Sequence, residues 1–384
     1  MNLQRDRRAS SIELLKIIAI LLIIVSHVVQ TLTSKPAYFP SKDYVLDITK
    51  ATTEWGKLMI SMLRYSGVIG NTIFFFSSAW FLVERRGNDK RKLVQLFLDS
   101  WFISVLILVI YLLCTVGLDR RLVVKSLFPV ISGNNWYVIC YMLFLLVYPF
   151  LNDMIDRFTQ RELARVSSFL FLLYIVLIFA LRIYNKLYGA TSFFGSDIIY
   201  WVSIYFFLAY MKKYRMRWMD SVNLNVVLAF VGFVGTYGLV LLTNALGLKY
   251  KDLSNALLIW NVNNNVFVIL MVVGVFNIAR RSRFSSKTVN YISGLSLFIY
   301  MIHENIIVRS LSRPAIWQYT FTIYGHRHDL RLIVLISMLI FMASTVCSVL
   351  YRQTLYKGTV SLNKWIYPRL LGQFHKLENW YLNL

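Results

Sequence analysis

Three ionisable residues interrupt the first apolar stretch of the chain, Ile12 to Leu32: Glu13, Lys16 and His27. A charge at the centre of a membrane helix costs on the order of 3 kcal/mol, so such residues face a polar interior and mark function. Lys16 and His27 are eleven residues apart in sequence. On a helix that spacing returns to within about 20° of the same face, roughly 16 Å further along the axis. Glu13 falls near that face as well. A second ionisable pair, His303-Glu304, sits late in the chain inside another apolar run. An imidazole titrates close to neutral pH and can take a proton from a hydroxyl, and a carboxylate within reach can orient it. Two histidines and a carboxylate at one depth would therefore suit proton-transfer chemistry. They make a poor zinc site, with no further His or Cys nearby, so no metal is expected.

Whether these groups share a depth depends on the helices that carry them. The 384 residues are 58% hydrophobic, with mean hydropathy +0.58. Repeated apolar runs of about 20 residues predict membrane-spanning helices. About ten are expected, roughly over 12–32, 67–83, 93–116, 136–151, 168–184, 197–211, 223–244, 255–278, 291–310 and 331–351. Connections are short, so residues 1–384 read as one all-α polytopic membrane domain with no separate soluble domain. Arg5, Arg7 and Arg8 before the first run resemble a secretory signal, but the run is long and contains Lys16, which reads as a retained first helix. No internal repeat is evident, which counts against transporter folds built from duplicated halves.

A net charge of +23 could suggest nucleic acid. In a membrane protein it is better explained by topology, since Lys and Arg accumulate in cytoplasmic loops. That bias places both termini in the cytoplasm, and no nucleic-acid partner is expected. The first inner loop holds the sharpest charge run, Glu84 to Lys92, with Arg85, Arg86, Lys90, Arg91 and Lys92. It reads either as a topological anchor or as a phosphate-binding patch for an anionic cytoplasmic ligand.

With the N-terminus inside, the first and ninth helices run outward, so His27, His303 and Glu304 all fall in the outer half of the membrane. The eighth runs inward and starts with Asn261, Asn263, Asn264 and Asn265. Asn71, Trp136 and Asp197 begin other inward-running helices. Each also has a plainer reading: the histidines and asparagines as hydrogen-bond ties between helices, Trp136 and Asp197 as interface residues. Asp99, low in the third helix, could pair with a loop base. His326, His328 and His375 read as solvated loop or tail residues. Cys114, Cys140 and Cys347 lie in apolar segments without metal-like spacing and are expected to pack.

The run Ile12-Glu13-Leu14-Leu15-Lys16 followed by His27 resembles the first helix of the membrane-bound acyltransferase family 3, where a basic residue, usually Arg, precedes His by the same spacing. Gly67 to Phe81 resembles that family's glycine-aromatic stretch, with Ser78-Ala79-Trp80 departing from its usual glycine. Trp136-Tyr137 through Pro149 resembles its fourth-helix region, and Ser296 to Glu304 its late-helix motif. The resemblance covers 12 to about 351. It implies an O-acyltransferase of the cell membrane, in a bacterium the plasma membrane, moving an acyl group, commonly acetyl from acetyl-CoA, onto a hydroxyl of a cell-envelope or exported polysaccharide. Acyl-CoA would be a co-substrate, with no bound cofactor.

By the same resemblance His27 is catalytic and Lys16 its basic partner. In an enzyme of this kind His303 and Glu304, at the same depth, would orient His27 or relay protons. Lys for Arg loses the planar fork needed for two-pronged contacts. Arg85, Arg86, Lys90, Arg91 and Lys92 would hold the CoA phosphates, and Asn71, Trp136, Asn263 and Asn264 would line the substrate path. His27 would serve as general base or carry the acyl group itself. Some relatives carry a soluble extracytoplasmic domain; this chain would act alone or with a separate partner protein. The alternative is a carrier or flippase for a glycan or small anion, using the same polar layer. A glycan polymerase would want a larger outer loop than 33–66.

Overall fold

The computed structural model describes residues 10–47, 53–85, 90–114, 119–132, 135–181, 197–249, 265–282 and 284–382. Among them every regular element is helical. In hydrocarbon, each backbone N–H and C=O must be satisfied within the protein, and a helix does this within one segment. In chain order the helices are α1 (Ser10–Thr33), α2 (Glu54–Leu82), α3 (Lys90–Cys114), α4 (Arg120–Leu127), α5 (Trp136–Arg157), α6 (Gln160–Leu181, with a π-helical stretch at Phe171–Leu177), α7 (Asp197–Lys213), α8 (Val222–Lys249), α9 (Val266–Arg281), α10 (Lys287–Ser293), α11 (Ser296–His303), α12 (Arg313–Tyr324), α13 (Asp329–Gln353) and α14 (Tyr356–Leu382). Seven of these, α1, α2, α3, α5, α6, α8 and α13, are long and apolar enough to cross a membrane. The protein is an all-α polytopic membrane protein.

Three expected helices take a different form. The second begins at Glu54, not near 67, because Lys57, Ser61, Arg64 and Ser66 lower the hydropathy of a segment that is nonetheless helical. Thr53 caps it, its side chain accepting from Gly56 N–H at 3.2 Å. The eighth is described only from Asn265, whose side-chain oxygen accepts from the N–H groups of Phe267 and Val268 and caps α9. The run 291–310 is not one helix but α10, α11 and the start of a third piece. A turn at Gly294 and Leu295 divides the first two. The second ends at Glu304, where ψ is 6°. There Asn305 accepts from the N–H of Ile307 at 2.9 Å, a local side-chain turn that competes with helix continuation. A π-helical stretch, Val308–Ser312, then leads into α12.

α1 sits at the centre, touching α2, α9, α10, α11, α12 and α13. Its N-terminal end is tied down by the segment before α11. Ser10 Oγ donates to Asn290 Oδ1 and accepts from the N–H of Ser286, and Ser11 Oγ donates to the carbonyl of Ser282. Against α2 the approach is closest at Gly67 and Gly70. A Cβ on Gly70 would lie 2.5 Å from the Ala19 carbonyl oxygen, and one on Gly67 would meet Ser26 Oγ. Small residues of this kind let membrane helices meet backbone to backbone. Ser26 Oγ donates to the Arg64 carbonyl at 2.6 Å, and Ser66 Oγ to the Leu22 carbonyl at 2.8 Å. Since the obstacle at Gly70 is backbone, Gly70→Val is expected to lose about 1–3 kcal/mol, read as a lower melting temperature in detergent; an unchanged melt would mean that α1 and α2 can part freely.

The cysteines do not all pack inside. Cys140 is half-buried, whereas Cys114 and Cys347 are exposed on the outside of the bundle. Apolar helices have a lipid-facing side, and a small thiol is tolerated there.

Candidate active site

α1 and α11 bring His27 and His303 face to face, with His27 Nδ1 3.2 Å from His303 Nε2. His27 Nδ1 also lies 2.7 Å from Glu304 Oε2. His303 Nδ1 is 2.8 Å from the Ile299 carbonyl oxygen. A carbonyl only accepts, so His303 Nδ1 carries the proton there, and in the neutral ring Nε2 is an acceptor. His27 Nδ1 then faces two acceptors and must be the donor. By this network the neutral His27 keeps its lone pair on Nε2, the atom turned away from Glu304. A carboxylate on one imidazole nitrogen and an unshared pair on the other is the arrangement of a general base held in its working tautomer. His303 is 1% exposed and Glu304 4%, while the side chain of His27 is 17% exposed. Of the three, His27 is the one that a substrate can reach.

Glu304 is itself held. Its Oε2 accepts from Arg313 Nη2 at 3.0 Å and its Oε1 from Arg309 Nη1 at 3.3 Å. Arg313 is 2% exposed, a guanidinium fully inside the protein. In an unbroken helix His303 and Glu304 would point about 100° apart. The turn at Glu304 lets both meet His27, and the π-helical stretch brings Arg309 and Arg313 back onto the carboxylate. Such irregular turns inside helices recur at functional sites. Asn305 Nδ2 braces the break by donating to Ser104 Oγ at 3.2 Å on α3. Sequence reasoning missed Arg313 and gave Arg309 no role. The available signal was the intramembrane carboxylate itself, which requires a cationic or hydrogen-bonding partner.

An aromatic wall continues from the histidines. Tyr300 meets His303 edge-on at 5.5 Å between ring centroids, Tyr137 lies 5.6 Å from Tyr300, and Trp136 packs on Tyr137. Trp201 and Phe75 extend it. The buried Tyr137 hydroxyl has no hydrogen-bond partner among the described residues. Trp136, half-buried at the start of α5, is thus connected to the site through Tyr137 and Tyr300.

Other expected site residues lie elsewhere. Lys16 pairs with Glu13, Nζ to Oε2 at 3.4 Å, and rests over the Phe81 ring. Glu13 also accepts a short hydrogen bond from Ser293 Oγ. This pair lies toward the opposite end of α1, so Lys16 and His27 do not meet. Asn71 does not begin a helix and does not share the His27 layer. α2 starts earlier and runs antiparallel to α1, so Asn71 falls near Ile20, about 10 Å along the axis from His27. Lys90, Arg91 and Lys92 are exposed at the start of α3, and Lys92 Nζ reaches the Tyr141 hydroxyl at 3.5 Å. Arg86, Asn263 and Asn264 lie outside the described residues, as do the side chains of Asp197 and His375.

Arg85 is described, and its segment is anchored. Asn152 Nδ2 donates to the carbonyls of Leu82 and Arg85, and Lys212 Nζ to those of Trp80 and Val83. Sequence gave no role to Asn152 or Lys212, which gather the otherwise unpaired carbonyls at the end of α2.

Two further expectations are corrected. Among the described residues Asp99 pairs with no loop base. Its Oδ1 accepts from Gln95, Tyr351 and Thr359, all neutral, and this cluster fastens α13 and α14 to α3. His326 is half-buried and pairs with Asp329 at 3.0 Å, since the turn before α13 folds back on that helix.

One nitrogen of each histidine and a Glu304 oxygen lie within 4.8 Å of one another, so the donor set could also be considered for a metal ion. Both Glu304 oxygens are already taken by guanidinium groups, and a dication would sit beside two fixed positive charges. The donor set suits a held proton better.

A family model described as an acyltransferase domain, of the third such family, matches residues 10–352. No curated protein and no solved structure matches the chain.

Proposed function

The chain belongs to the membrane acyltransferase family 3, and from that premise we propose that it moves an acetyl group from acetyl-CoA to a hydroxyl of a cell-envelope or exported polysaccharide. Membership supports an acyltransferase in a multi-pass membrane protein. The observation that carries the finer reading is His27, with Nδ1 on Glu304 and an unshared pair on Nε2. His27 Nε2 takes the proton of the acceptor hydroxyl as its oxygen attacks the thioester carbonyl carbon. The carbon–sulfur bond breaks, the imidazolium returns the proton to the sulfur, and CoA leaves as the thiol. Glu304 stabilises the imidazolium in between, and Arg309 and Arg313 hold that carboxylate in place. The Tyr137 hydroxyl, which has no partner among the described residues, would steady the oxyanion.

Acetyl-CoA would approach from the Lys16 end, its phosphates on Arg85, Arg86, Lys90, Arg91 and Lys92. The acceptor would approach from the Thr33 end, and the half-buried Trp136 would stack on a sugar ring. In this reading the protein lies in a bacterial plasma membrane with both termini in the cytoplasm. It works alone or with a separate extracytoplasmic partner.

The test uses membranes containing the protein, acetyl-CoA labelled in the acetyl carbon, and envelope glycans. Alkali-labile label in the glycan fraction is the expected result. Glycan that crosses the membrane chemically unchanged would instead favour a carrier. A metal-dependent site would make a different prediction. Treatment with a strong chelator is expected to leave transfer within about twofold of the untreated rate, because the mechanism needs only the imidazole and its ion pairs. Loss on chelation, restored by zinc, would move His27, His303 and Glu304 from proton relay to metal ligands.

A further inference from the structure

Outside the His27–His303–Glu304 cluster, a cavity of about 370 Å³ opens between the N-terminal end of α2 and the turn before α13. Thr53 and Gly56 form one side, and His326, Arg327, His328 and Arg331 much of the other. Asp329 is the acidic group in the lining, and its carboxylate is held by His326 Nδ1 at 3.0 Å. The cavity therefore offers two guanidinium groups and two imidazoles against one already paired carboxylate. That balance suits an oxyanion such as a phosphate, which arginine recognises with two parallel hydrogen bonds.

The cavity does not end there. Leu330 and Arg331 also belong to the head of an apolar groove of about 590 Å³ that runs down α13 to Met342. Val334, Leu335, Met338 and Leu339 line it and are exposed. From Leu330 to Met342 the helix rises about 18 Å. Half the hydrocarbon thickness of a bilayer is about 15 Å. The groove is thus one leaflet deep, and it begins where a cationic pocket ends.

We infer that the cationic pocket of Arg327, Arg331, His326 and His328, joined to the groove on α13, is a specific binding site for an anionic phospholipid. Its phosphate would lie in the pocket and one acyl chain along Val334, Leu335, Met338 and Met342. Charge complementarity selects the head, and the match in length selects a chain that is part of the surrounding leaflet. A soluble acidic glycan would use the pocket but leave the groove unfilled. The bound lipid would bridge the end of α2 to the start of α13, bracing the rim through which an acceptor would approach.

The full-length protein, in discs of mixed phosphatidylglycerol and phosphatidylcholine with identical chains, tests this by native mass spectrometry of the retained lipid. Retention of phosphatidylglycerol over phosphatidylcholine is expected. It should fall about tenfold in Arg327→Gln/Arg331→Gln, two exposed positions. Should the double variant not fold, Arg327→Gln alone serves, with a smaller loss expected. Equal retention of both lipids by the native protein, or an undiminished preference in the variant, overturns the site. Glycerol phosphate competing as well as an intact lipid would overturn the role of the groove. Displacement of phosphatidylglycerol by polygalacturonate would assign the pocket to an acidic glycan instead. None of these readouts depends on acyl transfer, so the lipid site and the proposed function stand or fall separately.

Discussion

His27→Gln is expected to lower acyl transfer by about 10²–10⁴-fold, the usual contribution of a positioned general base. Glutamine keeps most of the volume and can still donate toward Glu304, so the ion cluster behind it should survive. The variant should therefore insert and melt like the native protein while losing kcat. Its KM for acetyl-CoA is expected to be unchanged, because no CoA phosphate contact is assigned to His27. A raised KM with kcat unchanged would instead make His27 a binding residue. Full activity in a well-inserted variant would remove it from the mechanism.

The second large effect concerns stability and activity together. Glu304 and Arg313 are both buried, at 4% and 2% exposure, so removing Glu304 strands a buried guanidinium and removing Arg313 leaves the carboxylate only His27 and the partly exposed Arg309. Arg313→Met is expected to cost about 3–5 kcal/mol, the typical price of breaking a buried pair from one side. Glu304→Gln should cost a comparable amount, since Arg309 and Arg313 then face a neutral amide. The double variant Glu304→Gln/Arg313→Met removes both charges and should recover much of the lost stability. It should recover none of the activity, because His27 would have no carboxylate to stabilise its charged form. Detergent melts of the two single variants and the double one, alongside transfer rates, separate the two roles. Additive destabilisation in the double variant would mean that the two residues do not act as a pair.

The convergence of His27 and His303 was legible because two apolar runs crossing the same way carry them at similar distances from the starts of those runs, at Ile12 and Tyr291. That reasoning needs only the rise per residue and the direction of each segment. It failed for Asn71, where the start of the helix was hidden. Lys57, Ser61, Arg64 and Ser66 make 54–66 look like a loop, yet Ser66 and the Arg64 carbonyl are partners of α1, so these polar groups have their bonds inside the bundle. It failed differently at 291–310. A hydropathy run does not record a break when the residues on both sides are apolar, and a single Asn305 is a weak local signal. With the helix taken as continuous, Arg313 lay beyond its end and could not be matched with Glu304. Long-range pairing across α11 and α12 was thus the illegible part of the site. The fold class, by contrast, follows from composition alone.

The seam between α1 and α2 also limits how this protein can operate. Alternating access requires one part of a membrane protein to rock against another, opening a central site first to one side and then to the other. His27 sits on a helix pressed backbone to backbone against its neighbour at Gly67 and Gly70, with a serine hydroxyl of each helix bonded to a carbonyl of the other. Rocking these two helices apart would break both bonds and the close backbone packing between them. A transferase has no need of that motion. Its two substrates can wait on opposite faces of a fixed partition, and the only cargo that must traverse it is the acyl group.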